Sequence, residues 1–434
     1  MSTNHKIAII GGGSAYVPGI LHSLIRAGEP LGRSEIALMD IAAPNMAIIA
    51  QLGERMVAEA GADLKLSSTT DLKTALAGAD FVLSNFRAGG FEATRQDYAI
   101  PDKYDLIGQE TTGPGGTFFA LRSIPQMLDL CFAMEKHCPD AWLINYVNPT
   151  NFVADAIRRR STIKCIAVCD GGGNHLAIEF SEILGVPKEA VRVVAPGVNH
   201  HTWVKEVTVD GRDAYPLIRA HFAENRKADF ATWAMDRLGV FPAISGYLYQ
   251  YFDYAQALAD SRRADSIFNW FMNELSEQWA SFKAIADGTI PVRLDETKHH
   301  TNTAHGDIAV SLMVCIRTNR AREFHVNTPN IGAITNLPAG AVVEVPALVD
   351  AGGVKPLCVG EMPRSVLGLT QALLNWQELT VDAALCGERD LVVRALMAHP
   401  WLQSHKVAEE LCDEMLAAHA AFLPQFPAGK KAVG

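Results

Sequence analysis

The sequence predicts an α/β protein, a doubly wound parallel sheet followed by a mixed α and β second unit, and three observations predict it. Residues 6–10 (KIAII) form a continuous apolar run that ends in Gly11-Gly12-Gly13 and passes into a helical pattern near Pro18. That is how a buried parallel strand feeding a helix reads. Further apolar runs at 36–39, 80–84, 141–145 and 164–168 alternate with helical stretches near 45–60, 119–137 and 149–160. Strand alternating with helix builds a parallel sheet covered on both faces. After Val191 the texture changes, because TWVKEVTVDGRDAY alternates polar with apolar residues and carries the hairpin signal Asp210-Gly211.

The first 190 or so residues are therefore expected to supply the parallel sheet. In the second half, 265–287, 304–317 and 361–421 read as helices, whereas 323–358, with EFHVNTP, GAVVEVPALVD and Pro/Gly breaks, reads as short strands with turns. No low-complexity linker separates the halves, so the second unit is expected to wrap onto the first. The expected division is 1–195 for a dinucleotide-binding domain and 196–434 for a catalytic, substrate and oligomerisation domain.

A chain of 434 residues buries a large core and holds about two joined units. Its 49% apolar and 20% charged residues are ordinary globular values, which argues against disorder and fibrous repeats. The formal net charge is −10 with scattered Lys and Arg, which argues against nucleic acid as a partner. No apolar run reaches the roughly 18 residues needed to span a bilayer, and MSTNHKIAIIGGG opens without a signal-peptide pattern, so no membrane association and a cytoplasmic location are expected. The eight cysteines lack the paired spacing of a zinc ribbon or a secreted disulfide framework, so most are expected to be buried thiols.

Gly11-Gly12-Gly13-Ser14 lies between the first strand and its helix. Glycine allows a tight turn close to a pyrophosphate, and the free amides at the helix start bind it. Asp40 ends the second strand, where a carboxylate accepts hydrogen bonds from ribose hydroxyls and repels a 2′-phosphate, so NAD is favoured over NADP. A flavodoxin-like turn followed by a solvent-facing Asp remains the alternative.

Three polar segments end apolar runs where strands of such a sheet stop: Asn145–Thr150, Cys169–Gly173 and Gly197–Trp203. A Cys169 thiolate and a His200 imidazole, with substrate oxygens, would hold a divalent metal with open positions for Lewis-acid catalysis. The bland reading is a packed thiol and a satisfied histidine. Asp170 has the chemistry to protonate a leaving group, or to cap a helix. Tyr247, Tyr249, Tyr251 and Tyr254 crowd into GYLYQYFDY; at helical spacing most should be core aromatics, yet a tyrosine beside a cation loses its proton more readily and serves as a base. Arg87, Arg95 and Arg263 suit either an anionic substrate group or ordinary ion pairs.

These segments, with FRAGGFEATRQDYAIPDKYDLIGQETTGPGGTFFALRSIP, PDAWLINYVNP, GVNHHTW and VNTPNIGAITNLPAGAVVEVPALVD, resemble glycoside hydrolase family 4 over nearly the whole chain. The resemblance implies a Rossmann-like first domain, a lactate/malate dehydrogenase-like layout, and the cofactors NAD and Mn2+ or another divalent metal. It implies Cys169 and His200 as metal ligands, Asn148 and Asn199 as contacts to the sugar, Asp170 as general acid for an α-linked glycoside, and Tyr247 or Tyr249 as base. The implied chemistry is oxidation of the sugar at carbon 3, proton removal at carbon 2, elimination, water addition and re-reduction. The expected partner is a small-molecule glycoside, and the expected assembly is a homodimer or homotetramer. Asp-Gly-Gly-Gly-Asn-His after Cys169 departs from the hydrophobic and proline-containing sequence common in the phosphosugar enzymes, so the sugar stays open among neutral, uronic, sulfonated and 6-phosphorylated. Two other readings share the cofactor site: an NAD-dependent dehydrogenase of lactate/malate type and a non-catalytic NAD sensor.

Overall fold

The structure, a computed structural model, describes residues 5–225, 229–263, 267–294 and 303–426. The strands of the first half are β1 (Lys6–Ile10), β2 (Glu35–Met39), β3 (Lys65–Thr69), β4 (Phe81–Ser84), β5 (Trp142–Asn145) and β6 (Lys164–Ala167). They lie in the order β3-β2-β1-β4-β5-β6, all parallel. Between them run α1 (Val17–Ala27), α2 (Ala43–Ala60), α3 (Leu72–Leu76), α4 (Gly90–Asp102), α5 (Pro114–His137) and α6 (Thr150–Arg160), followed by α7 (Gly173–Leu184). This is the dinucleotide-binding order, not the flavodoxin order.

β1 shows why the sheet is buried on both faces. Ile7 and Ile9 join one apolar cluster with residues of α1 and α2, whereas Ala8 and Ile10 join the opposite cluster with residues of α5 and α6. The two-residue period of a strand sends alternate side chains to the two layers.

β3, α3, α4 and α7 were not named in the sequence reading, and two of them show why. β3 (KLSST) is a polar, largely exposed edge strand, held by in-register pairing from Glu35↔Lys65 to Met39↔Thr69. In α4 the inward residue Asp97 is fully buried and bonded by Arg122 of α5 through both guanidinium ends, 2.9 and 2.6 Å. An ionic inner face hides the apolar periodicity that would reveal the helix.

The second half adds β7 (Val191–Val194), β8 (Gly197–Val198), β9 (His201–Val204), β10 (Glu206–Val209), β11 (Arg212–Asp213), β12 (Phe241–Pro242), β13 (Arg322–Pro329), β14 (Val342–Asp350) and β15 (Gly353–Pro356). β13 pairs antiparallel with β6 through Asn327 and Ala167, and β14, β15, β8, β9 and β12 follow, so one 12-stranded sheet runs through both halves. The expected wrapping of one unit onto the other is thus a shared sheet. β7, β10 and β11 form a separate three-stranded sheet. Asp210-Gly211 makes the expected hairpin turn, with φ of 49° and 76°. The expected short strands in 323–358 include β13 and β14, longer than expected at eight and nine residues.

The helices are α8 (Tyr215–Glu224), α9 (Phe230–Arg237), α10 (Ser245–Leu248), α11 (Tyr254–Ser261), α12 (Ile267–Ala286), α13 (Thr303–Thr318), α14 (Arg364–Cys386), α15 (Arg389–Ala398) and α16 (His405–Ala418). Positions 265 and 266 of the expected helix 265–287 lie outside the described residues. The expected helical stretch 361–421 is three helices, the first closed by Gly387 at φ 69°, a conformation glycine adopts without steric cost. Among the described residues no helix is long and apolar enough to cross a membrane.

Candidate active site

The glycine turn at the end of β1 leaves no room for a side chain. Gly11 has φ 93°, and a Cβ there would stand 2.2 Å from the Asn85 carbonyl oxygen; one on Gly12 would stand 2.8 Å from Met39 N. The Gly11 and Gly12 amides both donate to the Met39 carbonyl, at 2.9 and 2.8 Å. α1 has no side-chain cap, and Ser14 Oγ accepts from the Tyr16 amide at 3.3 Å. Such a cradle with a bare helix start fits a pyrophosphate. Asp40 is half-buried rather than solvent-facing: Oδ2 accepts from Gly13 N and Oδ1 from Ala42 N, each at 2.8 Å. It thereby holds the turn, and a carboxylate with about four lone-pair sites still has capacity for a ribose hydroxyl.

Cys169 follows β6, and His200 lies in the turn between β8 and β9 with φ 61°, a left-handed backbone that few non-glycine residues adopt. Cys169 Sγ is 3.3 Å from His200 Nε2 and 3.9 Å from Asp170 Oδ1. Burial, then the nearby Asp170 and Glu344, pushes the Cys169 thiol up, and burial lowers His200 to about 4. The protein alone therefore keeps a neutral thiol beside a neutral imidazole. His200 Nδ1 is also buried and has no hydrogen-bond partner among the described residues. Facing soft and borderline donors of this kind fit a divalent cation, whose charge would favour the thiolate that burial disfavours. Among the described residues no cluster of three or more His, Cys, Asp or Glu side chains has metal-binding geometry, so substrate or water would fill the other positions.

Asn174, His325 and Glu344, which had no role in the sequence reading, stand around the loop that carries Cys169. Asn174 donates to the Cys169 carbonyl at 3.0 Å and to the His325 carbonyl at 2.9 Å, and its Oδ1 accepts from His325 N at 2.9 Å. Asn199 Nδ2 donates to Glu344 Oε2 at 2.8 Å. Glu344 is 2% exposed, and burial holds its carboxyl up at about 7 against the opposing Asn199 bond. Asn148, at the end of neighbouring β5, accepts from Thr150 N at 3.3 Å and Thr150 Oγ1 at 2.9 Å.

Of the four crowded tyrosines, Tyr247 stacks on His200, with ring centroids 5.3 Å apart and planes at 30°. Burial, then Glu110 and Cys169, pushes its hydroxyl up to about 12, opposed by Gln109 and Arg87. Tyr249 instead donates to Asp260 at 3.1 Å, Tyr251 to the Thr112 carbonyl, and Tyr254 to the Asp105 carbonyl at 3.0 Å. Three are thus tied to other parts of the structure. Arg87 is bonded to Glu110 at 2.5 Å and lies over the Phe91 and Phe119 rings, Arg95 pairs with Glu92 at 3.5 Å, and Arg263 pairs with Asp260 at 3.2 Å. All three make ion pairs within the protein. Tyr16, Gln109 and Glu110 also border the site, and the sequence signal for the last two was the IGQETTGPGG block, whose residues carried no assigned role.

A family model described as "Family 4 glycosyl hydrolase" matches residues 6–178, and its companion, "Family 4 glycosyl hydrolase C-terminal domain", matches residues 195–402. A probable 6-phospho-beta-glucosidase of Bacillus subtilis (strain 168) is 32% identical over 436 residues, covering 98% of this chain and 99% of the relative. The 6-phospho-beta glucosidase of Thermotoga maritima, solved with manganese, NAD+ and glucose-6-phosphate, superposes with a TM-score of 0.88 at 27% identity, over 96% of this chain and 99% of the other. A 6-phospho-alpha-glucosidase from gut microorganisms, in complex with NAD and Mn2+, does so with a TM-score of 0.89 at 27% identity, over 98% and 100%.

Proposed function

The chain belongs to the family 4 glycosyl hydrolases, and on that premise we propose that it cleaves an α-linked glycoside through residues gathered around the Cys169–His200 pair. It is a glycoside hydrolase, which sets aside both the dehydrogenase and the sensor readings. The observation that carries the site assignment is the 3.3 Å approach of Cys169 Sγ to His200 Nε2 with the Tyr247 ring stacked on that imidazole.

NAD and a divalent metal, manganese as in the relatives, are the cofactors; bound, they supply a hydride acceptor and donor for carbon 3 of the sugar and a positive charge for the oxygens of carbons 2 and 3. Gly11, Gly12, Gly13 and Ser14 cradle the dinucleotide, and Asp40 braces the turn and faces the ribose. Cys169 and His200 hold the metal. Asn148 and Asn199 orient the sugar. Tyr247 takes the proton from carbon 2, a role that Tyr249, whose hydroxyl is bound to Asp260, is poorly placed to fill. Asp170, beside Cys169, gives a proton to the departing glycosidic oxygen, and its presence there is the support for an α linkage. Water then adds, and the cofactor ends the cycle in its starting redox state.

The division into 1–195 and 196–434 is part of this reading, supported by family models that match 6–178 and 195–402. So is a cytoplasmic location, supported by eight unpaired cysteines, as a reducing compartment maintains. An assembly of two or four copies is supported by the contacting Phe230, Trp233 and Phe252 rings, with Trp233 44% exposed. The test is a panel of neutral, uronic, sulfonated and 6-phosphorylated aryl glycosides, α and β, with NAD and manganese. Phenol release from an α member without accumulating NADH is expected; NADH accumulation without cleavage would overturn the reading.

A further inference from the structure

β13 meets β6 with Asn327 opposite Ala167, and the two strands run antiparallel. In such a pair, two residues back along one strand stand opposite two residues forward along the other, so His325 faces Cys169 just past the end of β6. Between them sits the carboxamide of Asn174, from the first turn of α7. Its Nδ2 donates to the Cys169 carbonyl at 3.0 Å and to the His325 carbonyl at 2.9 Å, and its Oδ1 accepts from His325 N at 2.9 Å. A carboxamide carries the donor and the acceptor of a peptide unit, so Asn174 stands in for a rung of the ladder where the chain leaves the sheet. The strands part there, yet Cys169 stays tied to β13. The His325 side chain reaches the segment of the other ligand. It is 5% exposed, its Nε2 accepts from Ala195 N at 3.2 Å, and its ring fills the space that a Cβ on Gly173 would need. Ala195 leads through Pro196 into β8, and the turn from β8 to β9 carries His200. One residue of β13 thus grips both arms: its backbone holds the strand end with Cys169 through Asn174, and its imidazole holds the entry to the hairpin with His200.

We propose that Asn174 and His325 are positioning residues for the metal: together they fix the approach of Cys169 Sγ to His200 Nε2. The inference rests on the reading of Cys169 and His200 as the metal ligands. Those two groups come from separate loops and meet at 3.3 Å. Two ligands contribute their full affinity when they are already held at the spacing the metal takes; otherwise part of the binding free energy goes into ordering two loops. Partners behind the ligands set affinity in this way. The same contact explains the glycine at 173, where any side chain would displace the imidazole and with it the hydrogen bond to Ala195.

Titration of the chelator-treated protein with Co2+, followed by absorption, tests this, because a thiolate–cobalt bond gives a charge-transfer band that follows the sulfur–metal geometry. Wild type should show the band, and Cys169→Ser should lose it. Asn174→Ala removes the rung. Asn174→Asp, of nearly the same shape, keeps the acceptor for His325 N but not the donors, and decides the matter if the alanine variant does not fold. His325→Leu removes the acceptor for Ala195 N, whereas His325→Gln can still supply one and should bind closer to wild type. For Asn174→Ala, Asn174→Asp and His325→Leu the Co2+ Kd should rise about 10- to 100-fold, with a weakened or shifted band and unchanged NAD binding by fluorescence titration. A residue that serves stability alone would lower Tm and leave the Co2+ Kd and the band as in wild type; that result in Asn174→Asp or His325→Leu would overturn the proposal for that residue. Loss of NAD binding in parallel with Co2+ binding would overturn it too, since that describes a loosened fold. If wild type gives no band, or Cys169→Ser keeps it, the reading of the metal ligands falls. If both controls behave and the variants match wild type, only the roles of Asn174 and His325 fall.

Discussion

Cys169 and His200 are separated by 31 positions in the chain, yet the thiol sulfur of one stands 3.3 Å from Nε2 of the other. If the pair holds the metal, Cys169→Ser exchanges a soft sulfur for a hydroxyl that does not ionise readily. Manganese affinity by isothermal titration should then drop by more than about 100-fold, beyond the span usual for losing a second-sphere partner. NAD binding should survive. Undiminished manganese affinity would identify Cys169 as a packed thiol.

Dialysis against a chelator should silence the enzyme until both NAD and a divalent cation are returned, because neither the glycine cradle nor the thiol–imidazole pair performs the chemistry by itself. Assays of the stripped protein with each addition singly and then together check this. Full activity of the stripped protein would sink it.

Turnover in heavy water should place deuterium at carbon 2 of the released sugar, since a proton removed there returns from an exchangeable pool. Tyr247→Phe keeps the ring on His200 and removes the acceptor oxygen. It should lower kcat by roughly two to four orders of magnitude and suppress the exchange. Tyr249→Phe, whose hydroxyl is bound to Asp260, should stay within a few-fold of wild type. The reverse pattern would move the base to Tyr249, and wild-type product without deuterium, absent a proton that returns without exchanging, would count against proton abstraction altogether.

Glu344 supplies a pH test on the metal-free protein. Its folded-state value, about 7, lies above its ordinary 4.5 because burial disfavours the carboxylate. The stability it contributes is therefore complete below pH 4.5 and lost as the pH climbs through 7. The loss by pH 8 is on the order of 3 kcal/mol. Glu344→Gln keeps an acceptor for Asn199 and has no charge to bury, so in urea unfolding the variant should gain on wild type between pH 5 and pH 8. Parallel pH profiles for the two proteins would refute the assignment.

The sequence by itself determined the doubly wound half. The burial of β1 on both faces, the glycines after it and the strand–helix alternation are local properties, readable because apolar runs and turn residues follow the period of the element they form. It also singled out Cys169 and His200, as the polar ends of apolar runs. Only the tertiary structure decided that they face each other, through the return of β8 and β9 to the sheet that ends in β6. It alone separated Tyr247 from Tyr249, residues two apart that meet different neighbours: His200 stacks on the first and Asp260 accepts from the second. β3, α4, Asn174 and Glu344 escaped the reading for a common reason. Each is polar and is satisfied by a distant partner, whether a strand edge, Arg122, His325 or Asn199, and hydrogen bonding across the fold leaves no periodic trace along the chain.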